Sequence, residues 1–269
     1  MEKITKNVYV EIGTRGCNAS FVTTREGVVM IDTPMLPADA VRWRDEIAKF
    51  GPVRYLINSE PHPDHFSGNY FFGGTVIGHE GTRQAILNAS PEQLKGMLQA
   101  GGPLPADFGF RAPTLTLSER MTLHLGDHTF RLTNFPGHTP YQVAVLVPEE
   151  GVVFTSDNVV NGVPPFMHQA LPFEWIASLT RMKKLDARIM VPGHGAVCPV
   201  QYLDEMVHVV QSWIDAVSKA IDSGLTVEQA QQQINLLERY GGAAERMGMI
   251  QRNNVAHLYE VLTARAKPP

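Results

Sequence analysis

Cysteine is nearly absent: the 269 residues hold two, Cys17 and Cys198, in neither a Cys-x-x-Cys nor a disulfide-dense arrangement. A disulfide scaffold is excluded, and the chemistry fits a reducing compartment. Long apolar runs are missing too, so no segment reads as a membrane span, and the opening residues Met1 to Asn7 lack the apolar stretch of a signal peptide. A cytoplasmic protein without a membrane partner is the resulting expectation. There is no Lys/Arg-rich run, and the net charge is −4. Nothing therefore draws the chain to a phosphate backbone, and nucleic acid is not expected as a partner. Low-complexity segments and short-period repeats are also lacking. What remains is 43% apolar and 19% charged, the balance of a globular protein that buries a proper core. A single domain over 1–269 is expected. The oligomeric state is left open.

The pattern along the chain is that of an α/β protein. Residues 7–33 carry β-branched runs (Val8-Tyr9-Val10, Ser20-Phe21-Val22, Val28-Val29-Met30-Ile31) punctuated by Gly13, Gly16 and Gly27, which predict hairpin strands. Pro37-Ala38-Asp39-Ala40 opens a helix to about Phe50. The apolar run Val53 to Ile57 predicts a buried strand, and it ends on the polar loop Asn58-Ser59-Glu60-Pro61-His62-Pro63-Asp64-His65. Strand, helix, strand and then a polar loop puts chemistry at the strand's carboxyl end. Thr75-Val76-Ile77 predicts another strand, with helix following from Gly81 to about Ala89. Prolines and glycines crowd residues 90–113, which predicts no plain core element there but an insertion, at about 84–113, that caps the site. From Leu115 to Val160 the pattern is β again. Ile189-Met190-Val191 ends on Pro192-Gly193-His194-Gly195, and helices are expected over about 200–265, up to a Lys-Pro-Pro tail.

Glu60, His62, Asp64 and His65 fall within six residues, in a loop stiffened by Pro61 and Pro63. Imidazoles and carboxylates so closely spaced let one turn aim several donors at one or two divalent metals. Downstream, His138 stands in Phe-Pro-Gly-His-Thr-Pro, Asp157 in Phe-Thr-Ser-Asp-Asn and His194 in Val-Pro-Gly-His-Gly. Each follows a predicted strand and a Gly or Ser. Three strand ends delivering metal-type donors argue for one shared site more strongly than any single histidine.

With these residues in view, the chain resembles the metallo-β-lactamase superfamily, whose signature is His-x-His-x-Asp-His followed by spaced His, Asp and His; the order matches across residues 7–200. The resemblance implies a four-layer αβ/βα sandwich with a bimetallic centre between two sheets. It implies that Glu60, His62 and His138 hold one metal, that Asp64, His65 and His194 hold the other, and that Asp157 bridges them. It further implies that Asp32, closing Val-Met-Ile-Asp-Thr, supports the metal loop from behind. The activity implied is hydrolysis by a metal-bridging hydroxide, with Asp64 and Asp157 as the catalytic carboxylates.

The departure is Glu60, which stands where the family usually has histidine. Two divalent cations met by Glu60, Asp64, Asp157 and a hydroxide leave a formally neutral centre, a weaker Lewis acid than its all-histidine counterpart. Zinc is the first choice of metal; a harder oxygen donor brings iron or manganese close behind. A near-neutral centre on an acidic protein favours a small uncharged ester, lactone, thioester or amide over a phosphodiester. β-Lactam turnover, an iron-containing redox protein of this fold and a non-catalytic binding protein with a degraded site are the alternatives. No Gly-x-Ser-x-Gly elbow supplies a serine nucleophile. Phe166, His168 and Trp175, downstream of Asp157, are candidates for substrate contact, and Phe108, Phe110, Met167 and Phe173 could line a pocket or simply be core. His79, His124, His128, His208 and His257 are read as structural, and Cys198 as a small buried residue.

Overall fold

The computed structural model describes residues 1–266; the Lys-Pro-Pro tail lies outside them. The first sheet is built from β1 (Glu2–Lys3), β2 (Val8–Glu11), β3 (Ala19–Thr24), β4 (Gly27–Ile31), β5 (Val53–Asn58), β6 (Thr75–His79) and β7 (Leu115–Leu117), in that spatial order. The second runs from β8 (Arg120–Leu125) through β9 (His128–Asn134), β10 (Val143–Val147), β11 (Val152–Asn161) and β12 (Ile189–Gly195) to β13 (Cys198–Pro199). Helices α1 (Pro37–Ile47), α2 (Pro63–Phe66), α3 (Glu80–Asn88) and α4 (Pro91–Leu98) accompany the first sheet. Then come α5 (Pro172–Met182), α6 (Tyr202–Asp222), α7 (Val227–Gln233) and α8 (Ala244–Ala266). No helix among the described residues is long and apolar enough to cross a membrane.

Why two sheets stack with helices outside them is written in the alternation of each strand. Neighbouring side chains point to opposite faces, so a strand that is apolar at every position must be covered twice. Val8, Val10, Val29, Ile31, Ile57 and Ile77 meet Val143, Val145, Val147, Val152 and Phe154 between the sheets. Their neighbours Tyr9, Val28, Met30, Leu56 and Val76 face outward onto Ala40, Trp43 and Ile47 of α1. Ala144, Leu146 and Val153 likewise face outward, onto a cluster with Trp175 and Leu179 of α5, Trp213 of α6 and Leu258 of α8. The result is the four-layer αβ/βα sandwich expected from the sequence. Its core strands read as continuous apolar runs because both of their faces are buried.

Two local expectations differ from what is observed. Residues 90–113 do contain regular structure: the Ser90 hydroxyl caps α4 by accepting from Gln93 N, Pro91 takes the first turn, and Leu94 and Leu98 are buried. The breakers there flank a helix as well as interrupting one. This stretch packs behind the metal loop, where Leu94, Phe110 and Ile86 surround Phe66, and Arg111 donates to the carbonyls of Asn69, Phe72 and Gly74. The loop itself also tightens, since Pro63 starts the short helix α2 and so draws Asp64 and His65 onto one turn.

Candidate metal centre

Neighbouring strand ends are tied together before any donor is placed. Asp32 closes β4 in the left-handed region (φ 56°), where its Oδ1 accepts from Ser59 N at 2.7 Å and its Oδ2 from the Ser59 hydroxyl at 2.5 Å. The same Oδ2 accepts from His65 Nδ1 at 2.9 Å, which fixes the tautomer and turns Nε2 towards the site. The Ser59 hydroxyl also lies 2.7 Å from that of Ser156 on the opposite sheet. Below, Asn58 and Asn69 exchange amide hydrogen bonds at 2.8 and 3.1 Å and anchor the turn after α2.

The second sheet brings its donors by close backbone approach. A Cβ on Gly137 would overlap the Asn158 side chain, and one on Gly193 would overlap the Asp157 carboxylate. Glycine before His138 and before His194 is therefore a steric requirement of the site. Asn158 Oδ1 accepts from His138 N at 2.9 Å, and Trp175 Nε1 donates to Asn158 O at 3.0 Å beneath it. β11 departs from regular pairing with β12 on either side of Ser156, whose φ of 52° re-aims Asp157 into the cleft. Asn18 spans the sheets, donating through Nδ2 to the carbonyls of Pro192 and Gly195.

All seven sequence-predicted donors converge, six of them in two sets that a further cluster of Glu60, His65 and Asp157 joins. Glu60, His62 and His138 form one, and Asp64, His65 and His194 the other; within each set the donor atoms lie inside 4.8 Å of one another. In the first, Glu60 Oε2 is 3.0 Å from His62 Nδ1 and 3.8 Å from His138 Nε2. In the second, His194 Nε2 is 3.2 Å from Asp64 Oδ2. Asp157 faces both, with Oδ2 3.7 Å from His138 Nε2 and 3.3 Å from His194 Nε2, and Oδ1 3.3 Å from His65 Nε2.

Comparison with known proteins agrees with this geometry. The sequence model described as the metallo-beta-lactamase superfamily matches residues 12–194, more than half of the chain. The chain belongs to that superfamily. A metallo-beta-lactamase family protein from Thermus thermophilus superposes with a TM-score of 0.71 at 19% identity, covering 98% of this chain and 96% of that one. Among curated relatives, a linear primary-alkylsulfatase of a Pseudomonas species is 20% identical, over 81% of this chain and 49% of its own length. A hydroxyacylglutathione hydrolase of Erythrobacter litoralis is 26% identical, over 54% of this chain and 49% of its own. The chain thus spans about half the length of these curated relatives.

The donors of this superfamily member fit a pair of cations. His62 Nε2 is a buried polar atom without a hydrogen-bond partner, and the buried Glu60 Oε1, His65 Nε2 and Asp157 Oδ1 meet only one another, at 2.8 Å between Glu60 and His65 and 3.3 Å between His65 and Asp157. Such groups cost several kcal/mol unless a counter-charge meets them. Protons take up part of the charge. Burial disfavours a charged His62, but the Glu60 carboxylate outweighs it and lifts the imidazole to about 9. His194 rises to about 10 against its own burial, through Asp157 and Asp64. Burial would raise Glu60 and Asp157, yet the surrounding imidazoles hold both well below the usual carboxylate range. His138 goes the other way, its burial leaving it readily neutral.

Over the donors lies a cavity of about 280 Å³, near the lower end of small-molecule pockets. Its apolar wall is Val160, Val163, Pro164 and Phe166; His168 and Arg246 complete it. Phe166 and His168, the candidates for substrate contact, line this cavity, and the His168 ring lies 5.4 Å from that of His62. Burial and its histidine neighbours lower His168 to about 4, so it is neutral near pH 7. Trp175 requires a correction: it is fully buried, does not line the cavity, and packs its ring 5.7 Å from that of His138. Its amphipathic position in α5 is a core position. Residues 84–113 do not line this cavity; Ala85, Ala89 and Leu94 line a neighbouring one together with His62 and Pro63, and Leu94 and Phe110 pack against Phe66 of the loop.

Four contributors escaped the sequence reading. Gln142 Nε2 donates to Glu60 Oε2 at 2.6 Å, Ser59 and Asn158 hold backbone and ligands, and Arg246 arrives from a distant helix. Gln142 had a signal, a polar residue immediately before the buried run Val143 to Val147. Arg246 had none.

Proposed function

We propose that the chain is a binuclear metal-dependent hydrolase acting on a small ester, lactone, thioester or amide. The observation that carries this reading is Asp157, a buried carboxylate within 4 Å of histidines from both donor sets. Glu60, His62 and His138 would hold one ion and Asp64, His65 and His194 the other, with zinc first in order of preference and iron or manganese after it. When bound, the ions supply Lewis acidity and a water acidic enough to act as nucleophile near neutral pH. The relatives support the reaction class, since their names denote a sulfatase, a hydroxyacylglutathione hydrolase and, in shorter matches, an acyl-carrier thioesterase.

The chain's own residues divide the remaining work. Asp64, partly exposed at the cavity edge, is the carboxylate placed to take the nucleophile's proton. Neutral His168 offers the leaving group one donor and one acceptor nitrogen. Val160, Val163 and Phe166 exclude water from the substrate's apolar part. Asp32, Gln142 and Trp175 position the ligands. The test is a rate screen of metal-loaded protein against lactones, thioesters, aryl esters, sulfate esters and β-lactams. Turnover of a carboxylic ester, lactone, thioester or amide that disappears on chelation and returns with metal is expected. Metal binding without hydrolysis of any of these classes would overturn the proposal.

A further inference from the structure

The C-terminal helix α8 builds part of the cavity. Asn254, fully buried on α8, accepts from Met167 N at 2.7 Å and donates to Pro165 O at 2.9 Å. One turn further along, His257 Nε2 donates to Ala170 O at 2.8 Å. These bonds hold the loop that carries Phe166 and His168. The same helix places Arg246, in its first turn, against the cavity.

Arg246 is badly placed for any purpose internal to the fold. A cation in the first turn of a long helix opposes the partial positive charge of the free N–H groups there. Glu245 beside it is the only acidic residue of that turn. Among the described residues Arg246 makes no ion pair or hydrogen bond, whereas Arg239, just upstream, pairs with Glu205 at 3.1 Å. It is exposed, yet it is the only Lys or Arg among the residues that line the cavity. The other residues that Arg246 shares this cavity with are the donors themselves, His168, Pro63 and the apolar Val160, Val163, Pro164 and Phe166.

We infer that Arg246 recognises an anionic group on the substrate, a carboxylate or phosphate, separated from the scissile bond by an apolar spacer. This rests on the hydrolytic reading for which end is cleaved, and it deepens that reading. The bond broken is uncharged, and the charge is carried at the far end. A planar guanidinium offers paired donors to either anion, and the apolar wall fits a short methylene chain.

Calorimetric binding to metal-loaded protein tests this without turnover. Pentanoate, hexanoate and heptanoate are compared with glutarate, adipate and pimelate, so that each pair differs only in a second carboxylate. The matching ω-phosphono acids distinguish phosphate from carboxylate as the preferred anion. At the best length the two-ended ligand is expected to bind on the order of tenfold more tightly than its one-ended partner. In Arg246→Gln that ratio should fall to about one, and Arg246→Lys should keep part of it. A ratio near one at every length in the native protein, or a ratio unchanged in Arg246→Gln, overturns the inference. Full selectivity in binding, with no ester hydrolysed, would remove the hydrolytic reading and leave Arg246 as an anion site.

Discussion

Glu60 sets the character of the site. It is wholly buried, accepts from Gln142 and faces His62 and His138, so its charge is felt by every donor around it. Replacing it by histidine keeps one donor atom and removes one negative charge. The Gln142 amide can turn its oxygen to meet an imidazole N–H. Glu60→His is therefore expected to raise the preference for zinc over manganese and iron, and to shift the acidic limb of the pH–rate profile downwards. Metal analysis after competitive loading and a pH profile would read both. An unchanged preference with an unshifted limb would remove Glu60 from the ligand set. Protonation gives a second test at this scale. In the metal-free protein His62 and His194 are raised to about 9 and about 10, so their ion pairs stabilise the fold below the ordinary histidine pKa. That contribution is lost as pH rises through those values. A metal needs the neutral imidazole, so at pH 7 metal uptake should release a proton from each, and less as the pH approaches 10. A pH-stat titration measures it; uptake without proton release would contradict the pairing.

At the scale of elements, the site depends on how closely two strand ends approach. Gly193 lets β12 lie directly against Asp157, and an added methyl would collide with its carboxylate and come within 2.8 Å of its backbone nitrogen. Gly193→Ala is expected to cost about 1–3 kcal/mol of stability and to impair metal binding at both donor sets. Thermal unfolding with metal analysis checks this. A variant with native stability and full metal content would show that the contact is slack. Much of this level was legible beforehand. The apolar runs announced the strands, and the Gly-His and Ser-Asp steps announced donors at their ends, because both are local in sequence. Gln142, Asn158 and the packing of Trp175 against His138 were not legible, since each depends on partners far away in the chain. For the same reason helix α4 was hidden among prolines and glycines that also mark loops, although Ser90-Pro91 carries a start signal.

For the whole molecule, the αβ/βα sandwich works as a clamp, with each donor set drawn from both sides. Asp32, Ser59 and the α2 turn belong to the first sheet; His138, Asp157 and His194 belong to the second. Neither sheet alone assembles either set, so a metal bound there would couple to the packing of the two layers. The α8 helix adds a third dependence, because the cavity wall is held by Asn254. The seven donors were readable from the sequence as one group. The resemblance implies their division into two triads with Asp157 between them, and the sheets' approach brings the donor atoms of each triad within 4.8 Å of one another. The proposed function turns on a two-metal centre joined through Asp157. Its most direct test is the metal content per chain of reconstituted native protein and of Asp157→Asn, by mass spectrometry after exhaustive buffer exchange. Close to two ions per native chain, with both depleted together in Asp157→Asn, is the expected result. A single ion in the fully active native protein, or an Asp157→Asn variant that retains two, would contradict it.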